Sequence, residues 1–296
     1  MTAPLLLLAL HLAGSDPDTT LHLPRRGSVE ISSRLRDVTV KIGTTDVVTV
    51  RGARADLEGG TLSIDTDDGR RGPPTHAGPI EVTVPAWARI DVSSVAGNLT
   101  FIGTPEKLAA ETVNGFIKVT GGTGEIELNA VAGNVSVTDF RGTRLTIDAT
   151  GGSVTVTNAT GEVTIDNVNG GIVLHGMRTT KVTAETINGG IEYEGVLAPA
   201  GTYEFSSQND NVTFIVPGDV SARMRITTMN GELRSPQIPA TTNGIRDVVT
   251  GNTAKDKGKN KDKGDGERTF TATFGGGAAR VTVDVFNGDV VVKRKP

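Results

Sequence analysis

A short motif that returns every 18 to 21 residues governs what this chain can fold into. It reads VAGNLTF from Val95, VNGFIKV from Val113, VAGNVSV from Val131, TGGSVTV from Thr150, VNGGIVL from Val168 and INGGIEY from Ile187, stepping by 18, 18, 19, 18 and 19 residues. Looser copies follow at 21-residue steps, QNDNVTF from Gln208 and MNGELRS from Met229, and FNGDVVV from Phe286 closes the series. A fixed period of this length is the mark of coils of chain stacked on one another. Between motifs lies a second alternating run, such as LTIDA at 145–149 or VTIDN at 163–167, so each coil carries two strands of about five residues and two turns. Asn-Gly also favours antiparallel hairpins. Copies with Ala-Gly or Thr-Gly, and the constant period, favour in-register stacking instead. The expectation is an all-β chain, a parallel two-sheeted β-solenoid resembling a β-helix, with coils of about 18–21 residues.

Alternation within the strands says which side chains fill the coil. Val135 and Val137, Leu145 and Ile147, Val154 and Val156, Val163 and Ile165, and Ile172 and Leu174 fall at spacing two and point inward. Ser136, Thr146, Thr155, Thr164 and Val173 between them point outward. Hydrophobic content is 36% and aromatic content 4%, so the core is built from small branched side chains and is thin. The repeated Asn114, Asn169, Asn188, Asn230 and Asn287 precede the turn glycine. Asn tolerates the left-handed backbone, which explains it as a turn residue, and a polar ladder is the functional alternative.

The ends and interruptions set the domain organisation. Leu5–Leu12 is a short apolar run followed by the small residues Ala13 and Ser15, which predicts a signal peptide over 1–15 and an exported protein, periplasmic, cell-surface or extracellular. No segment reaches the length of a transmembrane helix. Residues 16–85 carry irregular strands that read as the N-terminal cap of the solenoid, and 86–242 hold its regular coils. The charged stretch 243–268, centred on KDKGKNKDKGDGE, has nothing apolar to bury and reads as a disordered insertion. Residues 269–296 form the last coil, whose Lys and Arg keep a terminal edge soluble. Trp87, the single Trp, reads as a cap on the N-terminal side of the core.

The chemistry-bearing residues are sparse. A net charge of −4 offers no general attraction for nucleic acid, and the absence of Cys removes disulfides and thiolate chemistry. His11, His22, His76 and His175 lie far apart with no metal spacing, and no calcium, phosphate or dinucleotide motif is present, so no cofactor or metal is expected. Outward carboxylates are the remaining candidates. Asp148 and Asp166 are 18 residues apart and Asp166 and Glu185 are 19 apart, which stacks them as an acidic column on adjacent coils. Such a column is either a solvated face or a weak ligand-binding site, and on β-helix scaffolds carboxylates can serve acid–base work on polysaccharide.

The stretch IEVTVPAWARIDVSSVAGNLTF, the VNG, VAG and INGG turns after it, and the closing FGGGAARVTVDVFNGDVVVKR are similar to the putative-adhesin repeat domain of bacterial envelope proteins. The resemblance covers roughly residues 80–295 and implies a two-sheeted β-solenoid of unknown function with no catalytic residues to carry over. The leading expectation is a non-enzymatic, exported structural or adhesin-like binding module of the cell envelope, contacting a protein or a glycan through its outward strand faces. The alternatives are an enzyme acting on polysaccharide through Asp148, Asp166 and Glu185, and an accessory protein of envelope stress.

Overall fold

The structure, a computed structural model, describes residues 18–66, 78–217, 220–234, 245–246 and 268–295. The signal peptide expected over 1–15 and nearly all of the insertion expected over 243–268 lie outside them. Within the described residues every regular element is a β-strand. The regular coils each join one longer and one shorter strand, as in Glu125–Ala132 with Val135–Thr138 and Arg144–Gly151 with Val154–Thr157. The strands of a coil are therefore unequal, eight residues and four, where the repeat suggested two equal runs.

Successive coils pair parallel and in register. Leu128 lies beside Ile147 and Ile147 beside Ile165 in the set of longer strands, called sheet B below. Val137 lies beside Val156 and Val156 beside Leu174 in the set of shorter strands, sheet A. The 17-residue strand Ile172–Asn188 passes from one set to the other, with a break in register between Leu174 and Met177. The inward residues expected from alternation, from Val135 to Leu174, are all buried. Removing them from water at ~1.5–3 kcal/mol per side chain supplies the main driving force for a coil. The core is not aliphatic throughout, because Tyr193, Tyr203, Phe205 and Phe214 form an edge-packed cluster with Phe205 and Phe214 centroids 4.9 Å apart. The Tyr203 hydroxyl stays satisfied there, donating to the Thr179 carbonyl at 2.6 Å and accepting from the Ala198 amide at 2.8 Å.

Two devices at the turn hold the coils in step. A Cβ on Gly115, Gly133, Gly152 or Gly170 would collide with the carbonyl of the preceding coil's turn glycine, so only Gly permits this approach. Beside it runs a chain of amides. Asn188 donates to Asn169 at 2.9 Å, Asn209 to Asn188 at 2.9 Å, Asn287 to Asn209 at 3.1 Å and Asn230 to Asn287 at 2.8 Å. Asn169, Asn188, Asn230 and Asn287 are thus ladder rungs, while Asn114 stands between Ala96 and Ala132; none of them is left-handed, and among the described residues the left-handed non-glycine ones are Arg26, Asp139, Asn158 and Ala200. Each amide offers one donor and one acceptor along the stack, so identical residues in register satisfy each other.

Chain order and stack order part company at both ends. Ser28–Ser33 sits between Thr61–Asp65 and Arg89–Ala96, and Val38–Gly43 between Ile80–Pro85 and Leu99–Ile102. At the other end, Ala279–Val285 lies between Thr202–Ser207 and Ala222–Thr228, and Val290–Arg294 between Val212–Val216 and Leu233–Arg234. The last coil of the sequence is therefore one level inside the stack and not its terminal edge. The FNGD copy is packed as an inner level, with Val281, Val283, Val290 and Val292 all buried. Antiparallel strands cover the flanks, Arg54–Glu58 against Thr61–Asp65 and Arg268–Phe274 against Ala222–Thr228. Trp87 is partly buried against the core and donates its indole N–H to Asp46 at 2.9 Å.

Two substitutions test the stacking. Gly133→Ala places a methyl against the Gly115 carbonyl at a φ of 144°, and a loss of about 2 kcal/mol is expected by denaturant titration, whereas Gly78→Ala, with open space around it, should stay within about 0.5 kcal/mol. Asn188→Ala removes one rung that both donates and accepts, and about 1 kcal/mol should be lost by the same measurement.

Candidate functional site

The strand Arg144–Gly151 shows how the outward face of sheet B is assembled. Leu145, Ile147 and Ala149 are buried, so Thr146, Asp148 and Thr150 face out. Register then aligns Asp148 with Asp166 and Asp166 with Glu185, and continues the line to Asn129 on one side and Ser206 on the other. The three carboxylates expected to stack do stand side by side, at the ~4.8 Å spacing of neighbouring strands. Burial, then the charges of Asp166 and Glu127, push the Asp148 carboxyl above its ordinary pKa. Among the described residues no group of three or more His, Asp or Glu is placed to hold a metal ion.

Beside this column runs a second one that the sequence reading did not single out. The first residue of each motif points to solvent: Val95, Val113, Val131, Val168, Ile187, Phe286 and Met229 are between 37% and 51% exposed. Register carries the line from Val131 through Thr150 to Val168 and Ile187. A shallow depression of about 420 Å³ lies along the two columns, lined by Asp148, Asp166 and Glu185 and by Val131, Val168 and Ile187. The signal was present in the parity of the strand. Ile165 and Asn167 are buried, so Asp166 and Val168 must share the outer face.

The inward residue just before the apolar one is small and polar in many coils, and it ties the turn from within. Asn167 donates to the carbonyls of Gly170 at 2.9 Å and Gly152 at 3.1 Å, Thr186 to Gly170 at 3.2 Å, and Ser207 to Gly189 at 3.0 Å. These bonds fix the strand end from which Val168 and Ile187 project.

A second constellation lies on sheet A. His175 Nε2 is 2.7 Å from Glu192 Oε1, and Glu194 lies between His175 Nδ1 at 3.9 Å and Lys295 Nζ at 2.7 Å. The hydrogen bond from Lys295 holds the Glu194 carboxyl low, partly opposed by burial and aided by the charges of Lys295 and His175. Arg141 and Arg178 line a concavity of about 400 Å³ next to it. Among the described residues the hydrogen-bond partner of His175 is Glu192, and no hydroxyl nucleophile is bonded to the ring.

Asp148→Asn tests the electrostatics of the column. Because the folded pKa of Asp148 lies above its unfolded value, the charged form is disfavoured by folding at neutral pH, and this penalty fades as pH falls through the folded pKa. The variant should therefore be slightly more stable at pH 7, by no more than about 0.5 kcal/mol because solvent screens this largely exposed carboxyl, and equal to the parent in acid, read from melting curves across pH.

A family model described as Toastrack DUF4097 matches residues 27–293. No curated protein matches the chain. A solved structure called a "putative adhesin" from Bacteroides fragilis is 10% identical, with a TM-score of 0.43, over 94% of this chain and 96% of that one. A second "putative adhesin", from Parabacteroides merdae, is 12% identical, with a TM-score of 0.42, over 69% of this chain and 90% of that one. A "putative cell adhesion protein" from Clostridium sporogenes is 8% identical, with a TM-score of 0.23, over 94% of this chain and 100% of that one.

Proposed function

The chain belongs to the Toastrack DUF4097 family, and from that premise we propose that it is a non-enzymatic binding module, exported to the bacterial cell envelope, which holds a partner on the outward face of sheet B. The observation that carries this reading is the line of solvent-exposed Val, Ile, Phe and Met side chains at the head of each motif. Stacking aligns whatever residue holds this position, and its being apolar and exposed in most copies supports reading the line as a contact surface. The stacking itself makes the line. We read the architecture as a parallel two-sheeted β-solenoid, a reading supported by the parallel registers that run through both sets of strands.

The non-enzymatic reading draws on the disposition of the carboxylates. Asp148, Asp166 and Glu185 lie along one face on adjacent strands, whereas a glycosidase sets two carboxylates across a scissile bond. Export is supported by the apolar run Leu5–Leu12, and among the described residues no helix is long and apolar enough to cross a membrane. The raised pKa of Asp148 favours a second reading, acid catalysis on polysaccharide. An activity that survives replacement of all three carboxylates by carboxamides would end it.

The variant Val131→Ser, Val168→Ser, Ile187→Ser tests the leading proposal. Its outward positions leave the core intact, so stability should stay within about 0.5 kcal/mol per site, while retention on envelope fractions of the source cells should fall about tenfold. Undiminished retention would place the contact elsewhere and defeat the reading.

A further inference from the structure

The two columns lie next to each other on one face, and together they specify a partner more closely than either alone. Position 148 and position 150 of one strand are two residues, ~6.8 Å, apart. The acidic column and the apolar column therefore run in parallel along the stack. Among the described residues Asp148, Asp166 and Glu185 have no cationic partner, and only like charges and polar groups flank them along the column. An occupant that covers Val131, Val168 and Ile187 must also desolvate this acidic line, which costs free energy unless the occupant brings positive charge.

The backbone of these strands is not available for recognition. Each is hydrogen-bonded to a neighbour on both sides, so a peptide cannot add as a further strand here and must be held by side chains. Spacing then discriminates between backbone forms. The columns repeat every ~4.8 Å, while same-face residues of an extended strand repeat every ~6.8 Å, a mismatch of ~2 Å per coil. Successive turns of an α-helix repeat every ~5.4 Å, so a helix stays within about 2 Å of step over three or four coils, and its ~10 Å width spans both columns. A membrane surface or nucleic acid, being anionic, would be repelled by the acidic line.

Building on the reading of this face as the binding surface, we propose that the groove takes a basic amphipathic α-helix of a partner protein. Its apolar stripe lies on Val131, Val168 and Ile187, and Lys or Arg residues on one flank meet Asp148, Asp166 and Glu185. The ion pairs set orientation and speed of encounter, and the apolar contacts supply most of the affinity.

The test uses the full chain and a synthetic helix of about 18 residues, five turns, with Leu at i, i+3, i+4 and i+7 and Lys along one flank. Two control peptides carry Glu in place of Lys, or the same residues in scrambled order. Fluorescence anisotropy should show the Lys peptide binding about tenfold tighter than either control, and weakening with added salt. The variant Asp148→Asn, Asp166→Asn, Glu185→Gln should lose about tenfold and most of the salt dependence, and Val131→Ser, Val168→Ser, Ile187→Ser should lose binding. Circular dichroism melts of both variants establish that they are folded. Equal binding of the scrambled peptide, unchanged affinity of the carboxamide variant, or competition-resistant binding of a cationic amino-sugar oligomer in place of the helix would overturn the assignment. Envelope retention that falls with the Ser variant but not with the carboxamide variant would leave the binding face standing and remove only the basic helix.

Discussion

The close approach of one turn to the next at glycine is the contact on which the rest of the structure depends. Where Gly133 meets the carbonyl of Gly115, and Gly152 that of Gly133, the backbones are nearer than any side chain would allow. That fixes the height of a coil at its corner and forces the strands on either side into register. The parallel ladders and the Asn rungs follow from it, because identical residues are brought to the same place on each level. Small inward polar residues such as Asn167 and Thr186 then saturate the turn carbonyls that such tight packing leaves facing the core.

Register turns single residues into columns, with effects of opposite sign. Inward, it stacks Val, Ile and Leu into a continuous dry core. Outward, it places Asp148 against Asp166 and Asp166 against Glu185, and burial of the Asp148 carboxyl, followed by repulsion from Asp166 and Glu127, raises its pKa. The same alignment lines up the exposed Val131, Val168 and Ile187. A surface of parallel stripes is thus a by-product of the stacking rule, and the chemistry of each stripe is set by a single position of the repeat.

The ends of the stack meet a different constraint. A parallel array leaves an open strand edge at each end, with unpaired backbone groups that invite association. Here the outermost parallel strands Thr61–Asp65, Ile80–Pro85 and Ala222–Thr228 are flanked by antiparallel ones, and the first and last coils of the sequence are tucked one level inside. Lys295 adds a side-chain tie, bonding Glu194 at 2.7 Å and fastening the end of the chain to a coil that precedes it by about a hundred residues.

The sequence by itself determined the repeat, the all-β class, the family resemblance and the inward residues, because a period of two within strands and of 18 to 19 between them is a local property that any coil expresses. It also aligned Asp148, Asp166 and Glu185, since equal spacing implies equal height on the stack. The apolar stripe was readable from the same parity, yet an apolar residue at the head of a motif resembles a core residue until the strand's phase is known. Tertiary structure alone decided that the Asn amides bond to each other, that His175 meets Glu192, and that the final FNGD coil enters between two earlier ones. These depend on which distant segments become neighbours. Copies of one motif are interchangeable by local pattern, and only the packing of whole coils selects which of them occupies each level.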